Sequence, residues 1–314
     1  MNAQKIKKII GASAAAVVAA AIVTVPTVFA VRGSIRSEEL PQEFTAEMAL
    51  EDAALAGDAN TRIMSSNLLV HYASWGGEPA KPRAKMYVSL IEKYRPDVVG
   101  LQEVCGSWFA CLYHNLPDGY KFIDPLTTGL FVHMTSMIYN SNTLNLLESD
   151  QIVYSKGDNP RLRRVVWALF ERKDNGKKFV VTSTHFDLIR ENQEQEEFET
   201  MTTQADEQIA LAQELSRKYG CPVFSTGDFN AKEDGRDNGE YDAPEIYAKL
   251  AESLTDTKTI AEQKKAGSDY AIDLPTYDHI FLCGDAPVRQ FQILSQPCLT
   301  AMSDHYSIFI DAKI

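Results

Sequence analysis

Several short apolar runs in this chain each give way to polar residues able to do chemistry, and this pattern limits the folds open to it. Asp97-Val98-Val99-Gly100-Leu101 is nearly continuously apolar, as in a strand buried on both faces, and Gln102-Glu103 follow at once. Arg62 to Asn67, Phe179 to Ser183 and Pro222 to Thr226 also read as strands. They lead into Asn67, into His185 with Asp187, and into Gly227-Asp228-Phe229-Asn230. Further on, Asp278 lies in the strand-like run Tyr277 to Leu282, and Asp304-His305 precede the run Tyr306 to Ile310. Loops at one sheet edge can gather such residues.

Between the runs the period changes. Lys85 to Tyr94 is amphipathic and closes at Arg95-Pro96, Thr202 to Tyr219 ends at Gly220, and Pro244 to Leu254 is a third predicted helix. Phe109, Leu112 and Leu116 share a helical spacing, so Trp108 and Phe109 read as part of a core-facing helix. Ser136 to Tyr139, Leu144 to Glu148, Val165 to Glu171 and Gln290 to Leu294 are β-like, and Asp174-Asn175-Gly176 is a hairpin turn. Strands with interspersed helices predict a layered α/β or α+β domain with mixed sheets. At 314 residues and 45% hydrophobic, the chain can bury one large core, assigned to residues 61–314.

Lys5, Lys7 and Lys8 precede an uncharged run from Ile9 to Val31. This is an export or anchoring segment: Val28-Phe29-Ala30 suits signal-peptidase cleavage after Ala30, while the run is also long enough to span a bilayer and contact it through residues 9–31. Either reading places the domain outside the cytoplasm, secreted or membrane-anchored. Residues 31–60, rich in Ala and Glu, read as a stalk or a short surface helix. Acids outnumber bases 43 to 31, which gives no sign of strong, non-specific polyanion binding. Five cysteines lack any zinc spacing; either all are buried and reduced or some pair, and then Cys283 and Cys298, near the facing ends of two strands, are the expected disulfide.

Singly, each polar residue is weak: Asp228 and Asn230 alone are turn formers, Glu103 a solvated charge, and His185 or His305 structural. The ordered set is specific. SSNLL, PDVVGLQEV, TSTHFDL, STGDFNA, TYDHIFL and MSDHY, spanning about residues 61–314, together resemble the signature segments of the endonuclease/exonuclease/phosphatase superfamily. The resemblance implies a four-layer sandwich, with two mixed β-sheets packed face to face, helices on the outer faces, and a metal site at one end. It implies a divalent-metal-dependent phosphoester hydrolase, most simply a phosphodiesterase or nuclease-like enzyme. Hard oxygen ligands suit Mg²⁺ or Mn²⁺, so Glu103 with Asn67 forms the principal metal site, and Asp304 completes it or holds a second ion. Asp228 takes the position that orients or deprotonates the attacking water, and Asn230 holds that water or a phosphoryl oxygen. His305, oriented by Asp278, contacts the phosphate and assists proton transfer, with His185 as the second phosphate-contacting histidine. Asp187 is either part of this constellation or a strand-end hydrogen-bonding residue.

Two departures stand out. His279 follows Asp278 where the common family pattern has Tyr, which alters packing or adds a polar group near the site. Three arginines cluster within 161–164 where relatives often carry one, making Arg163 or Arg164 a candidate phosphate ligand or a surface charge. No GxSxG, P-loop, GxGxxG or HExxH motif is present. The rival readings are a degenerate phospholigand-binding module, an adhesion module and, among enzymes, a sphingomyelinase-like or small-organophosphate hydrolase. No obligate protein partner is evident. Asp187 to Glu207 holds eight acids against Arg190, and Asp234, Asp237, Glu240, Asp242 and Glu245 follow GDFN, so either the expected active-site edge is acidic and disfavours tight, non-specific binding of long duplex DNA, or these are solvated charges that point away from the site.

Overall fold

The computed structural model describes residues 34–70, 80–123, 127–128, 131–132, 134–159, 162–190, 194–234 and 242–314. In chain order the elements begin with α1 (Gln42–Leu50), β1 (Thr61–Asn67), α2 (Ala80–Tyr94), β2 (Val98–Gln102) and α3 (Gly106–Tyr113). Next come β3 (Tyr120–Phe122), β4 (Thr127–Thr128), β5 (Phe131–Val132), β6 (Ser136–Asn140), β7 (Leu144–Val153), β8 (Arg164–Arg172) and β9 (Lys178–His185). They are followed by α4 (Glu194–Tyr219), β10 (Val223–Asp228), α5 (Pro244–Ser253), β11 (Thr255–Asp256) and α6 (Thr257–Ile260). The last are β12 (Gln263–Ala266), β13 (Asp278–Cys283), β14 (Val288–Ile293), a 3₁₀ turn (Pro297–Ala301) and β15 (Ile308–Ala312).

The strands form a seven-stranded sheet, β12-β14-β15-β1-β2-β6-β3, and a six-stranded sheet, β11-β13-β10-β9-β8-β7. Both are mixed: β1 pairs parallel with β2 across α2, and β9 pairs parallel with β10 across α4, while most other neighbours are antiparallel. Strand periodicity sorts side chains into layers. Ile63, Val98, Val181, Phe224, Ile280 and Ile310 meet between the sheets, whereas their chain neighbours Met64, Val99, Val180, Val223 and Phe281 face outward. The outer face of the first sheet is covered by α1, α2 and α3, and that of the second by α4 and α5. This is the four-layer sandwich, and it explains why the strands read as nearly continuous apolar runs.

At Gly100 the sheets approach so closely that a Cβ would lie 1.9 Å from Thr226 Oγ1. A side chain here would force the sheets apart, so glycine is required by contact rather than by backbone conformation.

Two expectations are corrected. The segment expected as a stalk, from residue 34 to 60, instead packs on the domain: Ile35, Phe44 and Met48 are buried, and α1 fits the short-helix alternative. Its few large apolar residues suffice because the rest of the helix faces solvent. Cys283 and Cys298 are free thiols. Cys283 packs on the helix-covered face of the second sheet and Cys298 on the outer face of the first, so the whole sandwich separates them. The export segment lies outside the described residues, among which no helix is long and apolar enough to cross a membrane.

Arg62, 1% exposed, ties the N-terminal segment to the sandwich. It makes a two-pronged pair with buried Asp311 at 2.6 and 2.8 Å and donates to the carbonyls of Ala53, Ala54 and Tyr94. Removing Arg62 leaves the buried Asp311 carboxylate without its cationic partner, keeping the Ala56 N–H at 3.0 Å, and takes the guanidinium donor from three carbonyls. Arg62→Ala should therefore lower the unfolding free energy by about 3–5 kcal/mol, read as a lower urea midpoint with no change in the family of strands formed.

Candidate active site

The parallel pairs decide where chemistry can sit. In β1–β2 the register places Asn67 beside Gln102, and in β9–β10 it places His185 beside Asp228. The antiparallel neighbour β13 begins at Asp278, opposite Asp228. β15, antiparallel to β1, is entered through Asp304 and His305, with Ser66 and Ser307 hydroxyls 2.8 Å apart. Every expected position thus falls at one end of the sandwich.

Asp228, 1% exposed, is the hub. Its Oδ2 accepts from Asn67 Nδ2 at 2.9 Å and lies 3.4 Å from His185 Nε2 and 3.7 Å from His305 Nε2, while Oδ1 accepts from Asn230 N at 2.9 Å. Burial opposes its charge, but the His305 charge and the bonds from Asn230 and Asn67 outweigh this and hold it below the usual carboxylate range. His305 Nδ1 donates to Asp278 Oδ2 at 2.7 Å. Desolvation works against the imidazolium, yet Asp278 and Asp228 raise its pKa well above that of an ordinary histidine. Burial raises Asp278 in turn, partly offset by His305, and its second oxygen, Oδ1, is buried without a hydrogen-bond partner. His185 behaves oppositely: burial and the nearby Arg163 guanidinium push its pKa down to about 4, so it is neutral at pH 7. One ring is charged and the other neutral, around one ionised carboxylate.

Asn230 and Glu103 both adopt left-handed backbone, φ 48° and 61°. This costs roughly 1–2 kcal/mol per residue and persists where neighbours over-determine it. Asn230 is held through Nδ2 to Phe186 O at 2.9 Å. Glu103 Oε2 accepts from Val70 N at 2.7 Å, and Oε1 from Asn67 Nδ2 at 3.1 Å. Asn67 therefore touches carboxylates from both sheets. The carboxylates of Glu103 and Asp228 are the hard-oxygen donors that fit Mg²⁺ or Mn²⁺; Asn67 faces them with its NH2 group while its Oδ1 accepts from Leu69 N at 3.0 Å, so its oxygen would join the set only after the amide turns over. Asp304 is exposed, with its carboxylate 3.5 Å from Ser303 Oγ, so it sits at the rim beside His305.

The sequence from residue 64 to 305 matches the model of the endonuclease/exonuclease/phosphatase family. The chain belongs to that family. Its members are metal-dependent phosphoester hydrolases. The structure resembles a family protein from Bacteroides thetaiotaomicron (TM-score 0.64, 19% identity, 80% of this chain and 94% of that one). It also resembles the mannosyl-6-phosphatase of the same species (0.64, 18%, 81% and 100%) and the human Nocturnin catalytic domain with bound sulfate (0.59, 20%, 85% and 97%). Comparison with curated proteins gives no match.

Within the family frame, the structure settles the positions left open by sequence. Arg163 is buried and donates to Asp187 Oδ1 at 2.7 Å and to Phe186 O at 2.6 Å, so Arg163 and Asp187 form a buried pair behind the site and Arg163 is not presented to phosphate. Gln204 also donates to Asp187 at 2.9 Å. Arg164 is buried and donates to Gln151. Trp108 is fully buried, with Nε1 donating to Leu69 O at 2.9 Å. Several acids of the suspected edge are compensated: Glu197 by Arg190, Asp206 by Lys249, and buried Asp242 by Lys232. Asp237 and Glu240 lie outside the described residues.

Sequence reasoning did not find Arg83 or the role of Ser303. Arg83 Nε donates to Met302 O at 2.7 Å, its guanidinium lies 4.9 Å from the Trp108 ring, and it also reaches the carbonyls of Leu68 and Leu69, bracing the loops after Asn67 and before Asp304. Ser303 Oγ donates to Asn67 O at 2.8 Å. Arg83 sits in a helix whose other polar residues are ordinary, and nothing local marks it.

Asp278 is the main support of the His305 charge. Asp278→Asn should move the alkaline limb of the pH–rate profile toward lower pH, because the imidazolium then loses its proton earlier, while the acid limb, set by Asp228, stays in place. The check is kcat/KM measured across pH for both proteins.

Proposed function

We propose that this chain is an extracytoplasmic, divalent-metal-dependent phosphodiesterase. The observation that carries the reaction class is the Asp228 carboxylate held between Asn67, neutral His185 and charged His305. The diester preference rests on charge. With Arg163 committed to Asp187, the cation offered by the described hub is His305, which together with a metal suits the single negative charge of a diester better than the double charge of a monoester. The export reading rests on residues 1–30, a basic start followed by an apolar run.

In this reading the phosphate sits between the two histidines. Asp228, ionised and weakly basic, aims the attacking water; Asn230 and Asn67 hold Asp228 at its working angle. As the water oxygen bonds to phosphorus and the ester P–O bond breaks, His305 Nε2 gives its proton to the departing oxygen and the water's proton leaves through Asp228 to solvent. Glu103, with Asp304 at the rim and the Asn67 oxygen once its amide is turned over, would hold a divalent cation, which when bound would supply charge stabilisation for the phosphoryl oxygens. His185, neutral and desolvated, contacts the phosphate without adding charge. The resemblance to a phosphatase and to a zebrafish TDP2 in complex with single-strand DNA product leaves small organophosphates and nucleic acid as the rival substrates.

Asp228→Asn and His305→Ala should each lower kcat by about 10²- to 10³-fold, the loss expected on removing a positioned proton-transfer or charge-stabilising group. Wild-type rates in both would place the chemistry elsewhere. Substrate class is tested with bis-nitrophenyl phosphate, nitrophenyl phosphate and duplex DNA in a salt series. The small diester should be the better of the two nitrophenyl substrates, and DNA cleavage should lack the steep salt dependence of a multi-phosphate footprint; the reverse on both counts overturns the diester assignment.

A further inference from the structure

Glu233, Asp256 and His279 form a second group of ligand-type side chains, with one donor atom from each lying within 4.8 Å of the others. Its oxygens are already engaged. Glu233 accepts from Lys258 Nζ at 2.8 Å and from Thr276 N at 2.7 Å. Asp256 accepts from Lys258 N at 2.9 Å and Tyr247 OH at 3.0 Å, with His279 Nδ1 at 3.5 Å. The Lys258 ammonium occupies the electrostatic place of a metal ion, so the group is compensated from within.

Its function follows from what the far side of the imidazole touches. His279 Nε2 lies 2.9 Å from Ala231 O, and since a carbonyl only accepts, Nε2 carries the proton. Strand alternation turns His279 away from the face of its neighbour Asp278, onto the segment that follows Asp228. The ring is buried among Phe229, Tyr247 and Phe281, which fix its plane. The same segment is tied at Phe229 N to Tyr277 O at 2.9 Å and at Glu233 to Thr276 N. Between these ties stands Asn230, in left-handed backbone and bonded through its own N–H to the catalytic carboxylate.

We propose that His279 is a positioning residue: oriented by Asp256, it clamps the Ala231 carbonyl and so keeps Asn230 and the Asp228 carboxylate in register with the phosphate site. The role rests on the phosphodiesterase reading for its kinetic consequence alone. Small displacements of an aiming group lower turnover more than binding.

The test compares full-length wild type with His279→Phe, which keeps a ring but removes Nε2–H, and His279→Gln, whose amide nitrogen can replace that donor. Hydrogen exchange in the peptide Phe229–Glu233 should rise about tenfold in His279→Phe, while β9 and β10 stay protected, and should return toward wild type in His279→Gln. On a phosphodiester, kcat should fall about tenfold in His279→Phe with KM within about twofold, and recover in His279→Gln. Asp256→Asn, a gentler change, should shift both readouts in the same direction by less, and serves if His279→Phe does not fold. Equal exchange in wild type and His279→Phe, a rise spread over the whole sheet, or no recovery with glutamine overturns the clamp. The exchange arm decides this even if wild type proves inactive on phosphodiesters, an outcome that would overturn the function reading and not the clamp.

Discussion

The Asn67 side-chain amide donates to Glu103 at 3.1 Å and to Asp228 at 2.9 Å, and so joins carboxylates carried by different sheets. That contact demands that both sheets end at the same height and nearly touch. Gly100, three residues before Glu103, meets Thr226, two before Asp228, at a distance that excludes any side chain. Polar residues line this narrow zone: buried Gln102 donates to Ser183 at 3.1 Å, and Thr226 to the Thr182 carbonyl at 2.8 Å. Below it the inter-sheet layer is apolar and thick with Phe170, Phe179, Phe224 and Phe291. The sandwich is thus held by aromatic packing in its body and pinched at the end where the site lies.

Bringing like charges together in a desolvated place is unfavourable, and the surrounding structure supplies the offset. Asp228 stays ionised because Asn67, Asn230 and charged His305 surround it, and His305 stays charged because Asp278 and Asp228 flank it. Arg163, one layer behind, holds Asp187 and helps keep His185 neutral. The arrangement separates two histidines into a charged ring, His305, and a neutral one, His185, which follows from their neighbours rather than from their own chemistry.

The apolar runs made the main strands legible, since a strand buried on both faces leaves an unbroken signature, and their polar ends marked Asn67, Glu103, His185, Asp228 and Asp278 for the same edge. Other features depend on partners distant in sequence. Arg163 looks like a surface charge until Asp187, 24 residues away, is placed against it. Cys283 and Cys298 are near in sequence but lie across two sheets. The first turns of α4 carry mainly Glu and Gln, so its apolar period became readable only from Thr202, although the helix begins at Glu194. Residues 34–60 carry so few large apolar side chains that their packing on the domain left no period to read.

We propose the junction of the two sheets around Asn67 and Glu103, and not the compensated group around His279, as the place where a divalent cation acts. Electron paramagnetic resonance of Mn²⁺ titrated into metal-stripped protein tests it directly, comparing wild type with Glu103→Gln and Glu233→Gln. The bound Mn²⁺ population should be lost or greatly weakened in Glu103→Gln and retained in Glu233→Gln. Retention in Glu103→Gln together with loss in Glu233→Gln would contradict this assignment.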